Sequence, residues 1–267
     1  MKKNLIVASL AALTMVVVAA AILPTRVVGQ GRGNAPAPQA APQSAPRGAD
    51  GKPDFSGFYQ APVGAERGPR FSAAKMAPFR PGGEALFFEM HNGDPFHDEP
   101  RDFCWPSGFP WGFLAPYPVQ VIQTPQYLVM VHEFQRMTRI IPLDGRPHST
   151  KVEPSFQGDS VGHWEGDTLV IDTTNFKRWI LDDYHYVDPT KNRMHSDAFH
   201  TIERITRPTR NALSWSITID DPKIFTAPWT EDFTMAFHPE WEKDGLFEFV
   251  CQENNRCPGG KCEEGKN

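Results

Sequence analysis

Ser160-Val161-Gly162-His163-Trp164-Glu165-Gly166-Asp167-Thr168-Leu169-Val170-Ile171-Asp172-Thr173 is the stretch from which the fold is read. Ser160–Trp164 and Thr168–Thr173 are short runs suited to a pleated surface. Between them Glu165-Gly166-Asp167 supplies a glycine where a hairpin turn needs a positive φ. Working outward, the same grammar repeats. Upstream lie Val119–Gln123, Tyr127–Phe134 and Met137–Leu143, the last ended by Asp144-Gly145. Downstream come Phe199–Thr206 and Ala212–Ile219. In the latter, Leu213, Trp215, Ile217 and Ile219 alternate with Ser214, Ser216 and Thr218, the pattern of a strand with one buried face. Phe233, Met235 and Phe237 alternate likewise, and Asp244-Gly245 turns the chain into Leu246–Cys251. The pattern gives about nine strands joined by loops mostly too short for a parallel crossover.

Consecutive hairpins must close or leave two exposed edges. The expectation is therefore a mainly β chain, an antiparallel meander closing into a calycin- or lipocalin-like barrel of about 8–10 strands around a cavity. A β-sandwich is the alternative architecture. One short helix is expected at Gly83–His91, where Leu86, Phe87 and Met90 could cap an open end. Residues 92–117, with Trp105, Trp111 and Phe113 among prolines, read as a long loop packed on the barrel.

Composition agrees. The 267 residues include 26 Pro, 21 Gly, 7 Trp and 19 Phe, with a mean hydropathy of −0.44. Proline and glycine at that density exclude a helical bundle, and the aromatic content excludes wholesale disorder. At residues 1–29, Lys2 and Lys3 precede an apolar run from Leu5 to Leu23, and Val27-Val28-Gly29 offers a cleavage site. That is the layout of a signal peptide, the alternative being a retained membrane anchor. Residues 30–52, rich in Ala and Pro, read as a disordered linker, 53–255 as one barrel-like domain and 256–267 as a polar tail. The expected location is periplasmic or secreted. The formal net charge of −5 becomes more negative without Lys2, Lys3 and Arg26, which argues against nucleic acid as a partner. In an oxidising compartment Cys104, Cys251, Cys257 and Cys262 are candidates for disulfides, with no means of choosing among the three pairings. A metal site from Cys251, Cys257 and Cys262 is the rival reading, and its spacing is poor for zinc.

The Ser160–Thr173 segment resembles the most recognisable stretch of a large, uncharacterised family of exported bacterial proteins. Pro53-Asp54-Phe55-Ser56-Gly57, Asp144-Gly145-Arg146-Pro147-His148, His195-Ser196-Asp197-Ala198-Phe199-His200, Asp220-Asp221-Pro222-Lys223 and Glu248-Phe249-Val250-Cys251 accompany it. The resemblance covers residues 53–255 and implies export, but it brings no catalytic residue. Phe55-Ser56-Gly57-Phe58-Tyr59 also resembles the opening of lipocalin-type barrels, with Tyr in place of Trp.

The densest polar constellation is Met194–Arg204. Strand periodicity would put His195 and Asp197 on one side, and His200, Ile202 and Arg204 on one face with Glu203 opposite. A histidine beside a carboxylate is the minimal kit for acid–base work, so His195, Asp197 and His200 are the catalytic candidates. The structural reading of the same residues is a capping loop with Glu203 and Arg204 in surface pairs. His148, His163, Trp164, Arg204 and Trp229 are the ligand-binding candidates. Convergence of His163, His195 and His200 on a metal would need a geometry that spacing does not supply, so no metal and no cofactor is assigned. Asp220-Asp221-Pro222-Lys223 reads as an Asp-Pro turn. Nucleotide glycine loops, Gly-x-Ser-x-Gly and His-Glu-x-x-His are absent, which disfavours phosphoryl transfer, dinucleotide redox and the usual serine hydrolase. The expected function is exported binding of a small organic ligand, anionic or aromatic. The alternatives are a lyase, isomerase or hydrolase on the same scaffold, and a cell-envelope interaction module contacting membrane only if the N-terminal segment stays uncleaved.

Overall fold

The alternation in Ala212–Asp220 turns Leu213, Trp215, Ile217 and Ile219 inward, and around that strand a barrel is built. A computed structural model describes residues 43–61, 70–90 and 104–249. The expected signal peptide, most of the expected linker, Cys251, Cys257, Cys262 and the tail lie outside the described residues, so of the four disulfide candidates only Cys104 lies within them. The strands are β1 (Gly57–Gln60), β2 (Phe88–Met90), β3 (Pro118–Gln123), β4 (Tyr127–His132), β5 (Thr138–Pro142), β6 (Asp159–Glu165), β7 (Thr168–Thr174), β8 (Trp179–Ile180), β9 (Lys191–His195), β10 (His200–Thr209), β11 (Ala212–Asp220) and β12 (Trp229–Phe237). One short helix, α1, spans Gly83–Phe87. It stops before His91 because Phe88–Met90 leaves the helix to pair with β9.

Nine strands form one antiparallel sheet in the order β5-β4-β3-β1-β12-β11-β10-β7-β6. Read as a ring, that order follows the chain, and β2, β8 and β9 form a separate three-stranded sheet. The ring is bridged by β1, which pairs β12 through Tyr59 with Phe237 and β3 through Gly57 with Val121. The sequence suggests a last strand at Leu246–Cys251. Residues 246–249 form no strand, because β1 already holds the free edge of β12 and Phe249 packs instead on Phe134 at 5.2 Å.

The ring is nearly closed. Its open seam falls between β5 and β6, which lie side by side. Nine strands cannot alternate in direction all the way round a circle, so these two must run the same way. A parallel neighbour needs a long crossover rather than a tight turn, and residues 143–158 supply it. Gly162 lets the seam draw together. A Cβ there would meet Leu143 Cδ2 at 3.0 Å and Ile141 Cγ2 at 3.3 Å, and the Gly162 carbonyl accepts a hydrogen bond from Gly145 N at 3.0 Å. The β6–β7 hairpin turns at Gly166, whose φ is 60°, as its sequence requires.

Side chains fill the interior. Phe109 and Phe113 belong to the core with Trp215, Ile217, Leu169 and Ile171. The expectation of a loop lying on the outside is corrected here: residues 107–114 enter as a plug, and the expected cavity is occupied. Each fully buried ring contributes about 2–3 kcal/mol of apolar transfer, which offsets the ordering of this irregular segment. Gln135 holds it in place, accepting from Ser107 N at 2.7 Å and donating to Trp105 O at 2.9 Å. Residues 43–52, grouped by composition with the linker, run against the β6–β7 turn. There Arg47 pairs with Asp167 at 2.6 Å, and Lys52 donates to Gly166 O at 3.1 Å. No helix among the described residues is long and apolar enough to cross a membrane.

Replacing Gly162 by Val should destabilise the barrel by about 1–3 kcal/mol, the usual range for overpacking. Urea unfolding measures it, and an unchanged midpoint would mean that β5 and β6 do not approach at this residue.

Candidate functional site

Inward-facing positions of β5, β6, β7 and β10 bring four polar side chains together beneath the seam. Arg139 and Glu203 form a bidentate pair, Nη2 to Oε1 at 2.7 Å and Nη1 to Oε2 at 3.1 Å, with both side chains almost wholly buried. Arg139 Nη2 also donates to Ser160 Oγ at 2.9 Å and to Thr173 Oγ1 at 3.2 Å. Trp215 Nε1 donates to Glu203 Oε2 at 3.1 Å. The guanidinium lies 4.0 Å over the Phe109 ring, so the plug covers it. A buried charge is tolerable when it is paired and hydrogen-bonded. Here Glu203 and the two hydroxyls take the Nη donors of Arg139, while its Nε is buried without a partner among the described residues.

Over this network opens a groove of about 370 Å³, lined by Thr138, Arg139 and Ile140 of β5, Asp159 and Ser160 of β6, and Pro106 with Ser155–Gly158 of the crossover. A smaller hollow of about 250 Å³ adjoins it through Pro106, Thr138 and Gln157. On the rim stands a chain of imidazoles and carboxylates. His148 Nδ1 is 3.1 Å from Asp159 Oδ2, its Nε2 is 3.0 Å from Asp172 Oδ1, and His200 Nε2 is 2.9 Å from the same Asp172 oxygen. All four are partly exposed, on the crossover, β6, β7 and β10.

His148 and His200 thus converge, through an aspartate that the sequence reading did not single out as a site residue. The remaining candidates are scattered. His195 ends β9 and is buried, its ring stacked on Phe199 at 4.2 Å and its Nδ1 bonded to Ser196 O at 3.1 Å. Asp197 is exposed and bound to Lys223 Nζ at 2.5 Å. The expected alignment of His195 with Asp197 is corrected: β9 stops at His195 and a turn begins, so strand periodicity does not carry across. Ser196 drives that turn, donating through N and Oγ to Asp221 at 2.7 Å each. This fixes Asp221 as the anchor of the expected Asp-Pro turn.

His163 faces outward on β6 beside Glu165 at 3.3 Å, and Arg204 pairs with the same carboxylate at 2.8 Å. His163, His195 and His200 therefore do not assemble, and among the described residues no group of three or more His, Cys, Asp or Glu could hold a metal ion. Trp164 packs against Phe55 at the barrel end, and Trp229 is a core residue. The alternation expected for β10 holds, with His200, Ile202 and Arg204 turned outward. Glu203 is the correction: it is fully buried, not in a surface pair. Arg139 was missed altogether, although an arginine at an inward position between Met137 and Ile141 was the available signal.

Burial also governs two histidines. His132 accepts from Phe134 N at 3.1 Å through Nδ1, and His195 keeps its Nε2 in the core without a partner. Desolvation pushes both down to about 4. In another cluster, burial pushes Asp182 up to about 6 against the opposing pull of Arg193. With this geometry established, comparison with protein families, with curated proteins and with solved structures finds nothing that matches the chain.

Glu203→Leu should cost about 3–5 kcal/mol by stranding the Arg139 charge, while Arg139→Met with Glu203→Leu should recover most of it. Chemical denaturation of the two variants checks this; a cost below about 1 kcal/mol for the single change would refute a buried pair. The histidines set a sign for pH. Below 6.5 the unfolded chain protonates both rings and the folded chain does not until about 4, so each makes stability fall as pH drops through that window. Asp182 acts oppositely, since its folded form holds a proton between 3.8 and about 6. His195→Phe should therefore flatten the dependence of unfolding free energy on pH between 4.5 and 6 by roughly 1.4 kcal/mol per pH unit. An unaltered slope in urea titrations would show that the ring is protonated in the fold.

Proposed function

We propose that the chain is an exported binding protein whose barrel holds a small organic ligand in the groove over the β5–β6 seam. The observation that carries this reading is the groove itself, about 370 Å³ at the β5–β6 seam in the barrel wall. That volume suits a small molecule, and its walls combine apolar surface with convergent polar groups as ligand sites do. Phe156, Ile140 and Pro106 offer surface for a flat or apolar body. Ser160, Gln157 and Thr138 offer hydrogen bonds, and with the Arg139 charge at the base balanced by Glu203 the lining supports an aromatic ligand with polar substituents ahead of a strongly anionic one. Export rests on the N-terminal leader pattern of the sequence.

A second reading, an acid–base enzyme at the groove rim, is favoured by the sharing of Asp172 Oδ1 between His148 and His200. It replaces the His195–Asp197–His200 grouping with His148, Asp172 and His200. One experiment separates the two. Native mass spectrometry of protein purified from its own organism should show a bound small molecule, and Thr138→Trp, which fills the groove mouth, should lose it by tenfold or more. If the isolated ligand is returned to the protein and recovered unchanged, the chain is a binder. Conversion that disappears in Asp172→Asn would make it an enzyme. Absence of any ligand, or equal occupancy in Thr138→Trp, would overturn the seam site.

A further inference from the structure

A second groove lies away from the seam, where the small sheet meets the segment after residue 69. It measures about 500 Å³ and is lined by Arg70, Phe71, Ser72, Ala73, Tyr184, Val187, Arg193 and Glu231. Two guanidinium groups on one groove are unusual enough to require an account of their partners.

Arg193, on β9, is 4% exposed. Its Nη1 donates to Phe71 O at 2.9 Å and to Asp182 Oδ2 at 3.2 Å, and its plane lies 4.3 Å over the Tyr184 ring. Its Nε is buried and has no partner among the described residues. Arg70 is in the same condition: its Nε is buried without a partner, and its nearest carboxylate, Asp183, stands at 3.7 Å, an ion pair without a hydrogen bond. Glu231 does not fill the gap, since its oxygens are taken by Lys75 at 2.6 Å and by Ser72 N at 3.0 Å. Leaving guanidinium donors unused in a protein interior is costly. Those Nε atoms are sealed from the groove, as are the equally unpartnered Nε atoms of Arg139 and Arg207 elsewhere. What Arg70 and Arg193 can offer to the groove they line is Arg193 Nη2 and the Nη atoms of Arg70, which make no hydrogen bond among the described residues, and that edge fits a site whose acceptor arrives from outside.

The chemistry of that acceptor follows from its surroundings. A guanidinium fork matches a planar carboxylate through paired hydrogen bonds. Asp182 and Asp183 already balance much of the arginine charge, which disfavours a multiply charged anion such as phosphate. Phe71, Ala73, Val187 and the ring of Tyr184 supply apolar surface alongside. We propose that this groove binds a small organic monocarboxylate, its carboxylate set between Arg70 and Arg193 and its apolar body along Phe71 and Val187. The site is independent of the seam groove.

Isothermal titration of the full chain with benzoate tests it, alongside inorganic phosphate. Benzoate should bind saturably and more tightly than phosphate. Arg70→Gln should weaken it about tenfold, the loss of one charge-assisted interaction. Ala73→Trp, an exposed wall position remote from both guanidinium groups in chemistry, should weaken it similarly, while Thr138→Trp in the seam should leave it intact. No saturable benzoate binding, binding unaffected by both groove variants, loss in Thr138→Trp alone, or phosphate bound as tightly as benzoate would each overturn the assignment.

Discussion

A ring of strands that alternate in direction must contain an even number, and this barrel has nine. One junction is therefore denied the antiparallel ladder that holds the others. The chain puts that junction between β5 and β6, and much else follows from the choice. The two strands run parallel, so their connection must run back from the end of β5 to the opposite end of the barrel, where β6 begins. That connection is residues 143–158, which roof the groove and carry His148 to the outer wall. The groove exists because the wall there is incomplete.

What replaces the missing ladder is side-chain chemistry. Arg139 leaves β5 inward, bonds Ser160 across the seam and reaches Glu203 on the far side of β6 and β7. A guanidinium can do this because its donors fan out in one plane, so a single group can join three strands at once. The arrangement is not a cheap source of stability, since two charges are desolvated to make it. Its effect is on register. A slip of one residue in β5 would turn Arg139 out to solvent and leave Glu203 buried without a counter-charge, so the pair enforces the alignment that the absent backbone bonds do not.

The fold was legible because strand periodicity and turn glycines are local signals. Gly166 announced its hairpin, and the alternation through Trp215 gave the inner face of β11 correctly. What local patterns could not show was which strand closes the ring. Leu246–Cys251 and Gly57–Gln60 are equally plausible as edge strands, and only the three-dimensional competition for β12 decides between them. The site was less legible for a related reason. His195 and His200 are five residues apart, yet the Ser196 turn sends one ring into the core and the other to the surface. Asp172, the residue that unites His148 with His200, sits in a strand whose sequence looks purely structural. Arg139 and Glu203 are far apart in the chain, and nothing but the barrel joins them.

The inner and outer faces of the same strands meet different demands. On β7, Thr173 faces inward to Arg139 while Asp172, its neighbour, faces outward to the two histidines. On β6, Ser160 and Asp159 divide the same way. Each of these adjacent pairs therefore ties the inside of the seam to its outside through one peptide unit. The Arg139 network fixes the floor of the groove, and His148, bridging Asp159 and Asp172, fixes the crossover that forms its roof. A displacement of the crossover would have to break the His148 contacts first, and it would load the same two strands that carry the Arg139 contacts. Floor and roof are thus one mechanical unit, and the groove between them is held open by polar interactions rather than by a packed apolar lining.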